Sequence, residues 1–306
     1  MGTDCHVVVV AAEATGEDLL TLAVDRVELL EECWSRFRPT SALNQLNARA
    51  GQGPVEASPD LLLLVERMKQ AWAMSNGLFD PTVLNSMTAL GYDADFAEVT
   101  ARSPASQFGD VIVSASPGMS GVVIDHDAGT VCLPAGVGID PGAIGKGLAA
   151  DIIATELYDA GADGVLVNLG GDLVFVGTTA DGTGWSISVE DERKPVDDPE
   201  RILRRFEFPD GATTAGVATS TTLKRRWAQG RRHHVIDPRT GSMSISDLVQ
   251  VTVVSDEAWQ AEVIATTALL MTSDEAERWL RDREITAILL TTDRAVVTTD
   301  EEDDHG

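Results

Sequence analysis

The sequence predicts an α+β fold, and three observations lead there. Segments of strand and helix character follow one another without the regular βαβ alternation of a doubly wound sheet. No self-similarity recurs at a solenoid period. No convincing linker interrupts the chain, so residues 1–299 read as one continuous domain. Residues 300–306 form an acidic tail, expected to be disordered because it has nothing to pack.

The elements follow in chain order. A short apolar run at Val7 to Ala11 predicts a strand. A long amphipathic helix is expected from about Glu17 to Phe37, because Leu20, Val24, Val27 and Leu30 fall on one face. A second helix spans about Pro59 to Met74 and stops at Asn76-Gly77, residues that tolerate the left-handed turn ending a helix. Short strands are expected at Asp110 to Ser114, Gly121 to Asp125 and Val131 to Leu133. The glycine-rich run Gly138 to Gly147 opens a helix reaching about Asp159, with Ile144, Leu148, Ile152 and Leu157 as its buried stripe. Val165 to Leu169 and Val174 to Val176 predict strands on either side of Gly170-Gly171-Asp172. Further strands are expected at Trp185 to Val189, Phe206 to Phe208, Gly216 to Thr219, Val235-Ile236 and Val249 to Val254. Helices at Asp256 to Met271 and Asp274 to Arg281, then strands at Ile285 to Thr291 and Ala295 to Val297, complete the pattern.

Composition narrows the function. With 43% hydrophobic and 24% charged residues the chain is globular, and 49 acidic against 23 basic side chains leave a formal charge of −26. Such a surface repels phosphate backbones and anionic lipid, so nucleic-acid partners and membrane surfaces are disfavoured. An anionic substrate would need local positive charge or a metal. Cys5, Cys33 and Cys132 are few, odd in number and far apart, which fits a reducing compartment and no zinc site. No apolar run has the length of a membrane span, and no basic region followed by an apolar stretch opens the chain. Met1-Gly2 is followed by His6 where a myristoylation signal has Ser or Thr. As written, the chain is expected in the cytoplasm.

Four constellations can carry chemistry. Gly142 to Gly147 combines glycines, a helix start and Lys146, one of only four lysines. Free N–H groups and the positive dipole end there suit phosphate. It is not a Walker A loop, since Gly147 replaces the Ser or Thr and Asp140 stands where the first glycine belongs. A helix start with packing glycines is the competing account. Glu262 and Thr266 lie four apart on a helix that Ser255 is placed to cap, so both oxygens share one face. Their neighbours are apolar nearly all round, and a buried carboxylate must be paired or metal-bound. A salt bridge at the core edge and a magnesium ligand both meet that demand, since magnesium takes only one or two carboxylates and completes its shell from phosphate and water. The stretch His233-His234-Val-Ile-Asp-Pro-Arg-Thr-Gly241 offers a histidine beside a good turn. Adjacent histidines on a strand face opposite sides, so at most one serves a given site. Finally, Asn76-Gly-Leu-Phe-Asp-Pro-Thr-Val83 places Phe79 either in the core or against a flat ring.

Together and in this order, these blocks resemble the ApbE family, the FAD:protein FMN transferases. The resemblance spans about Glu31 to Met271. It includes Trp34-Ser-Arg-Phe-Arg-Pro-Thr-Ser-Ala-Leu-Asn44, Gly77-Leu-Phe-Asp-Pro-Thr-Val83 and Asp140-Pro-Gly-Ala-Ile-Gly-Lys-Gly147. It continues with Val167-Asn-Leu-Gly-Gly-Asp172, Gly216-Val-Ala-Thr-Ser220, the His233 to Gly241 block and Ala261-Glu-Val-Ile-Ala-Thr266. It implies an α+β fold of mixed sheets and packed helices with the site between two halves, where FAD is the substrate and Mg²⁺ holds its diphosphate. By resemblance the metal ligands are Glu262, Thr266 and the backbone carbonyl of Gly145 or its neighbour. The family's usual acid is Asp, so Glu262 reaches one methylene further, about 1.5 Å by a C–C bond length. Resemblance also implies His234 as the base for the acceptor hydroxyl and Lys146 as a stabiliser of charge on the diphosphate. Phe79, Gly142, Asn168, Gly170, Gly171, Asp172, Thr219 and Ser220 match blocks that line flavin or nucleotide. The implied partners are FAD and an acceptor protein carrying a flavinylated Thr or Ser. Two other outcomes use the same grip: hydrolysis of FAD to FMN and AMP, and flavin binding without catalysis.

Overall fold

A computed structural model describes residues 3–102, 111–211, 214–293 and 296–298. The chain divides into two compact units. One comprises Glu28–Gly145 and Lys224–Ile245; the other comprises Thr3–Val27, Lys146–Leu223 and the chain from Ser246 onward.

The second unit is organised by a seven-stranded sheet. Its strands are β1 (Cys5–Val10), β5 (Gly164–Leu169), β6 (Asp172–Gly177), β9 (Thr214–Thr221), β12 (Leu248–Ser255), β13 (Ala287–Thr291) and β14 (Val296–Thr298), in that spatial order. Every pairing is antiparallel. An antiparallel sheet needs no helical crossovers, which is why the sequence lacks βαβ alternation. Helices α6 (Gly145–Asp159), α7 (Ala258–Leu269) and α8 (Ser273–Arg281) accompany it, and α7 packs against β9 and β12. Ten of the twelve residues of α7 are buried, as its apolar circumference requires. A hairpin of β7 (Trp185–Glu190) and β8 (Ile202–Phe208) sets Trp185 and Ile187 against Phe175, Leu173 and Val217.

The first unit contains α2 (Ala42–Ala48), α3 (Pro59–Met74), α4 (Leu84–Ala89) and α5 (Phe96–Ala101). It also holds a three-stranded sheet ordered β2 (Val55–Glu56), β4 (Thr130–Cys132), β3 (Val123–Asp125), and a pair, β10 (Arg226–Trp227) with β11 (Arg232–His233). Helix α3 starts where Ser58 accepts from the Leu61 N–H, and Asn76 and Gly77 follow it with φ of 51° and 80°. Met87, Leu90, Tyr92, Val99, Trp227 and Ile236 form a core cluster. Beside it the Arg36 guanidinium lies over the rings of Phe37 and Tyr92, 4.1 and 4.3 Å from their centroids, and pairs with Asp140 at 3.3 Å.

Several expectations are corrected. Helix α1 runs Glu13–Trp34, starting and ending earlier than the apolar spacing indicated. Residues 111–114 form no strand, and Asp110 lies outside the described residues. Val235-Ile236 is not a strand either; Ile236 makes one isolated bridge to Met243. Two apolar residues before a proline turn satisfy burial without a ladder partner. Residues 299–306, which hold the acidic tail, are outside the described residues, as is Ala295.

Candidate functional site

The site is built where α6 meets α7. Gly147 is needed for that meeting: a Cβ there would stand 2.5 Å from the Ala258 carbonyl oxygen and 2.7 Å from the Trp259 nitrogen. On β9, a Cβ at Gly216 would come within 2.3 Å of the Ala258 nitrogen. Two glycines therefore let the start of α7 settle against α6 and the sheet at backbone distance. The seating places Glu262 one turn along α7, where its Oε2 accepts from the Gly147 N–H at 2.9 Å and its Oε1 from Lys146 Nζ at 2.7 Å. Lys146 Nζ also contacts Asp172 Oδ2. Glu262 and Asp172 are 2% and 1% exposed, so one ammonium is shared by two buried carboxylates and the group carries an excess negative charge. Burial of that kind costs several kcal/mol per ion unless pairing is good.

Four N–H groups of the glycine-lysine segment, which the sequence offered to phosphate, have partners within the chain. The Gly147 N–H belongs to Glu262, the Gly142 N–H to Asp140 Oδ1 at 2.8 Å, and those of Ile144 and Gly145 to the Pro141 carbonyl. These glycines serve the turn and the helix contact, and Lys146 is left as the segment's cationic group.

Capping of α7 is also unlike the expectation. Ser255 does not cap it, and Glu257 at the N-cap makes no side-chain capping bond. The carboxylate of Asp151, one turn beyond Gly147 on α6, accepts from the Ala258 and Trp259 N–H groups, both at 2.9 Å. Burial, with smaller contributions from the charges of Glu257 and Glu262, pushes the Asp151 carboxyl up to about 7 although both N–H bonds pull it down. Spacing alone does not reveal this residue. The available signal was an acid set among Ala149, Ala150, Ile152 and Ile153 in a helix that is otherwise apolar on that side.

Asp172 is delivered by a hairpin turn. Gly170 and Gly171 have φ of +69° and +101° and join β5 to β6 as a two-residue loop, a geometry that favours glycine. Asn168 Oδ1 accepts from the Gly171 N–H at 2.8 Å and braces the turn. Asp172 Oδ1 then faces the Thr219 N–H at 3.3 Å. Next along β9, the hydroxyls of Ser220 and Thr266 are hydrogen-bonded at 2.8 Å. Thr266 is the one residue between Ala261 and Leu270 that is not buried, and it lies one turn beyond Glu262 on α7. Lys146, Glu262, Thr266, Asp172, Thr219, Ser220, Asn168, Gly170 and Gly171 thus all belong to the second unit; Lys146, Glu262, Asp172 and Thr219 are linked by contacts, and Ser220 and Thr266 pair with each other.

Phe79, Gly142, Gly145 and His234 belong to the first unit. Phe79 is buried, its N–H donating to Ser75 Oγ at 2.9 Å. His234 follows β11 and is half-buried, whereas His233 is buried and its pKa is lowered by desolvation and by the charge of Arg226. Asp237 to Gly241 is a turn, closed by the Gly241 N–H on the Asp237 carbonyl at 2.8 Å.

The donor set suits a hard divalent cation. Glu262 and Asp172 offer carboxylate oxygens, each with lone pairs beyond those already used, and Thr266 and Ser220 offer hydroxyls. Among the described residues no three His, Cys, Asp or Glu side chains form a metal cage. Magnesium needs no such cage when substrate phosphate and water complete its shell.

Comparisons with known proteins give the family and the fold. The model of the ApbE family matches residues 1–289. A FAD:protein FMN transferase of Klebsiella pneumoniae (strain 342) is 26% identical over 95% of this chain and 82% of its own length. One of Treponema pallidum (strain Nichols) is 28% identical over 92% and 80%. The crystal structure of the ApbE protein from Thermotoga maritima superposes with a TM-score of 0.82 at 21% identity, covering 98% of this chain and 94% of that one. The flavin transferase ApbE from Vibrio cholerae gives 0.76 at 23% identity, covering 97% and 93%. With a family match across nearly its whole length and the same fold in solved members, the chain belongs to the ApbE family.

Proposed function

We propose that this chain transfers FMN from FAD to a Thr or Ser hydroxyl of an acceptor protein in a Mg²⁺-dependent reaction that releases AMP. One observation carries the proposal: Glu262, the acid of the last family block, is seated on Lys146 and Gly147, the end of the glycine-lysine block 115 residues away in sequence. Relatives named FAD:protein FMN transferase support the activity. Glu262 and Thr266, with the Gly145 carbonyl, are assigned to hold Mg²⁺. The bound ion would supply charge neutralisation at the FAD diphosphate.

The protein's own groups do the rest. His234 accepts the proton of the acceptor hydroxyl, whose oxygen forms a bond to the phosphorus of the FMN half. The bond from that phosphorus to the bridging oxygen breaks, and AMP departs with the oxygen. Lys146 places its ammonium against the developing charge. Phe79, Gly142, Asn168, Gly170, Gly171, Asp172, Thr219 and Ser220 are assigned to the walls around FAD, and residues 1–299 to one catalytic domain. A cytoplasmic setting is part of the same proposal, and Cys5, Cys33 and Cys132 form no disulfide among the described residues. Among the described residues no helix is long and apolar enough to cross a membrane.

The test incubates the protein with FAD, Mg²⁺ and a threonine-containing acceptor peptide, following peptide mass and AMP together. FMN on the peptide with AMP in equal amount is the expected result. AMP with unmodified peptide would make the protein a FAD hydrolase, and neither product would make it a flavin-binding protein.

A further inference from the structure

Building on the magnesium assignment, we propose that Lys146 is a resident counter-ion of the Asp172–Glu262 carboxylate pair which a divalent cation displaces. Asp172 thereby becomes the second carboxylate of the cation site. Three observations lead there. The two acids come from different elements, β6 and α7, yet both touch the same nitrogen. Both are almost wholly buried, while the Lys146 side chain is 19% exposed and so has a way out to solvent. The charges do not balance: two carboxylates face one ammonium, whereas two carboxylates around one divalent cation are neutral.

The two cations exclude each other. A metal on Glu262 would stand within a few ångströms of the ammonium, and like charges that close in a poorly solvated place repel strongly. Asp172 cannot follow a departing lysine, because β6 is pinned between β5 and β9 and its Oδ1 faces the Thr219 N–H. Metal entry therefore ejects the lysine head while its stem stays on α6. The freed ammonium is then available to an anionic group of the substrate. The order of events follows: the cation loads first, and Lys146 becomes a substrate-binding group as a consequence.

The test uses the whole protein without FAD. Amine acylation is followed at Lys69, Lys146, Lys194 and Lys224 by peptide mass, with and without saturating Mg²⁺, while calorimetry on the same sample measures Mg²⁺ binding. A lysine clamped between buried acids is shielded from the reagent and a released one is not. The expected result is acceleration of Lys146 labelling by about tenfold or more, with the other three unchanged; a tenfold rise corresponds to about 1.4 kcal/mol. Unchanged or slower Lys146 labelling with Mg²⁺ bound overturns the proposal but leaves the metal assignment standing. No Mg²⁺ binding overturns it too, and the peptide-transfer assay then decides separately whether the enzyme reading survives. As a second arm, Lys146→Met removes the competitor and is expected to bind Mg²⁺ at least about tenfold more tightly; equal or weaker binding contradicts displacement. If that variant does not fold, the labelling of the unaltered protein decides alone.

Discussion

Replacing Asp151 by asparagine isolates the acid that accepts from the first two N–H groups of α7. In the fold its carboxyl is pushed up from the ordinary 3.8 to about 7, with burial the largest cause. Between those values the folded protein holds a proton that the unfolded chain has released. Stability is therefore fully present below about pH 4, falls as pH rises towards 7, and is flat above. Each pH unit in that interval carries about 1.4 kcal/mol, so the whole interval carries roughly 4 kcal/mol. The sequence pI of 4.3 makes the acid end impractical. Between pH 5.5 and 7 the effect is still about 2 kcal/mol. The assay is urea unfolding of the wild type and Asp151→Asn from pH 5.5 to 8.5, read as the difference in unfolding free energy, so that the other acids cancel. The asparagine variant pays a fixed cost, because its amide nitrogen cannot accept from Trp259 or Ala258, and it lacks the slope. The wild type should lose about 2 kcal/mol relative to the variant as pH rises, mostly before pH 7.5. A difference that stays constant across that range would refute the assignment of Asp151 as the titrating cap.

Other perturbations have equally definite outcomes. Gly147→Ala forces a methyl group against the Ala258 carbonyl and should cost roughly 1–3 kcal/mol in denaturant unfolding, since backbone cannot yield as a side chain can. Thr266→Val keeps the shape but removes the hydroxyl that pairs with Ser220; the Mg²⁺ concentration for half-maximal transfer should rise about tenfold, equivalent to about 1.4 kcal/mol. His234→Ala should leave FAD affinity, measured by flavin fluorescence, unchanged while transfer falls by about 10²–10⁴. Unchanged transfer in that variant would remove His234 from its role.

What could be read in the sequence depended on range. Helix α3 was legible to the residue because Ser58, Pro59 and the Asn76-Gly77 stop are all local signals. Helices α2, α4 and α5 have only six or seven residues, too few turns for an apolar period to emerge. Val235-Ile236 looked like a strand because burial alone makes an apolar pair, and no local feature distinguishes a ladder from a single bridge. At the site, Glu262 with Thr266 follows from helical spacing. Lys146 joining Glu262 across 116 residues does not, and the resemblance supplied it only by placing both blocks in one family pattern. Asp151 was missed for the same reason: its partners at Ala258 and Trp259 lie 107 and 108 residues away. Gly142 to Gly147 were read for phosphate, yet Gly147, like Gly216 on β9, is where α7 approaches at backbone distance. A sequence shows that a side chain is absent but not what backbone takes its place.

The most direct test of the central claim is the Mg²⁺ titration of FMN-peptide formation by Glu262→Gln beside the wild type. Glutamine keeps one acceptor oxygen, for either Lys146 or the Gly147 N–H, turns its NH2 towards the other donor, and removes the charge that binds a cation. The account predicts a folded variant whose titration is shifted to at least about tenfold higher Mg²⁺, or is lost, with FAD still bound. A folded Glu262→Gln protein that transfers FMN with the wild-type Mg²⁺ dependence would contradict it.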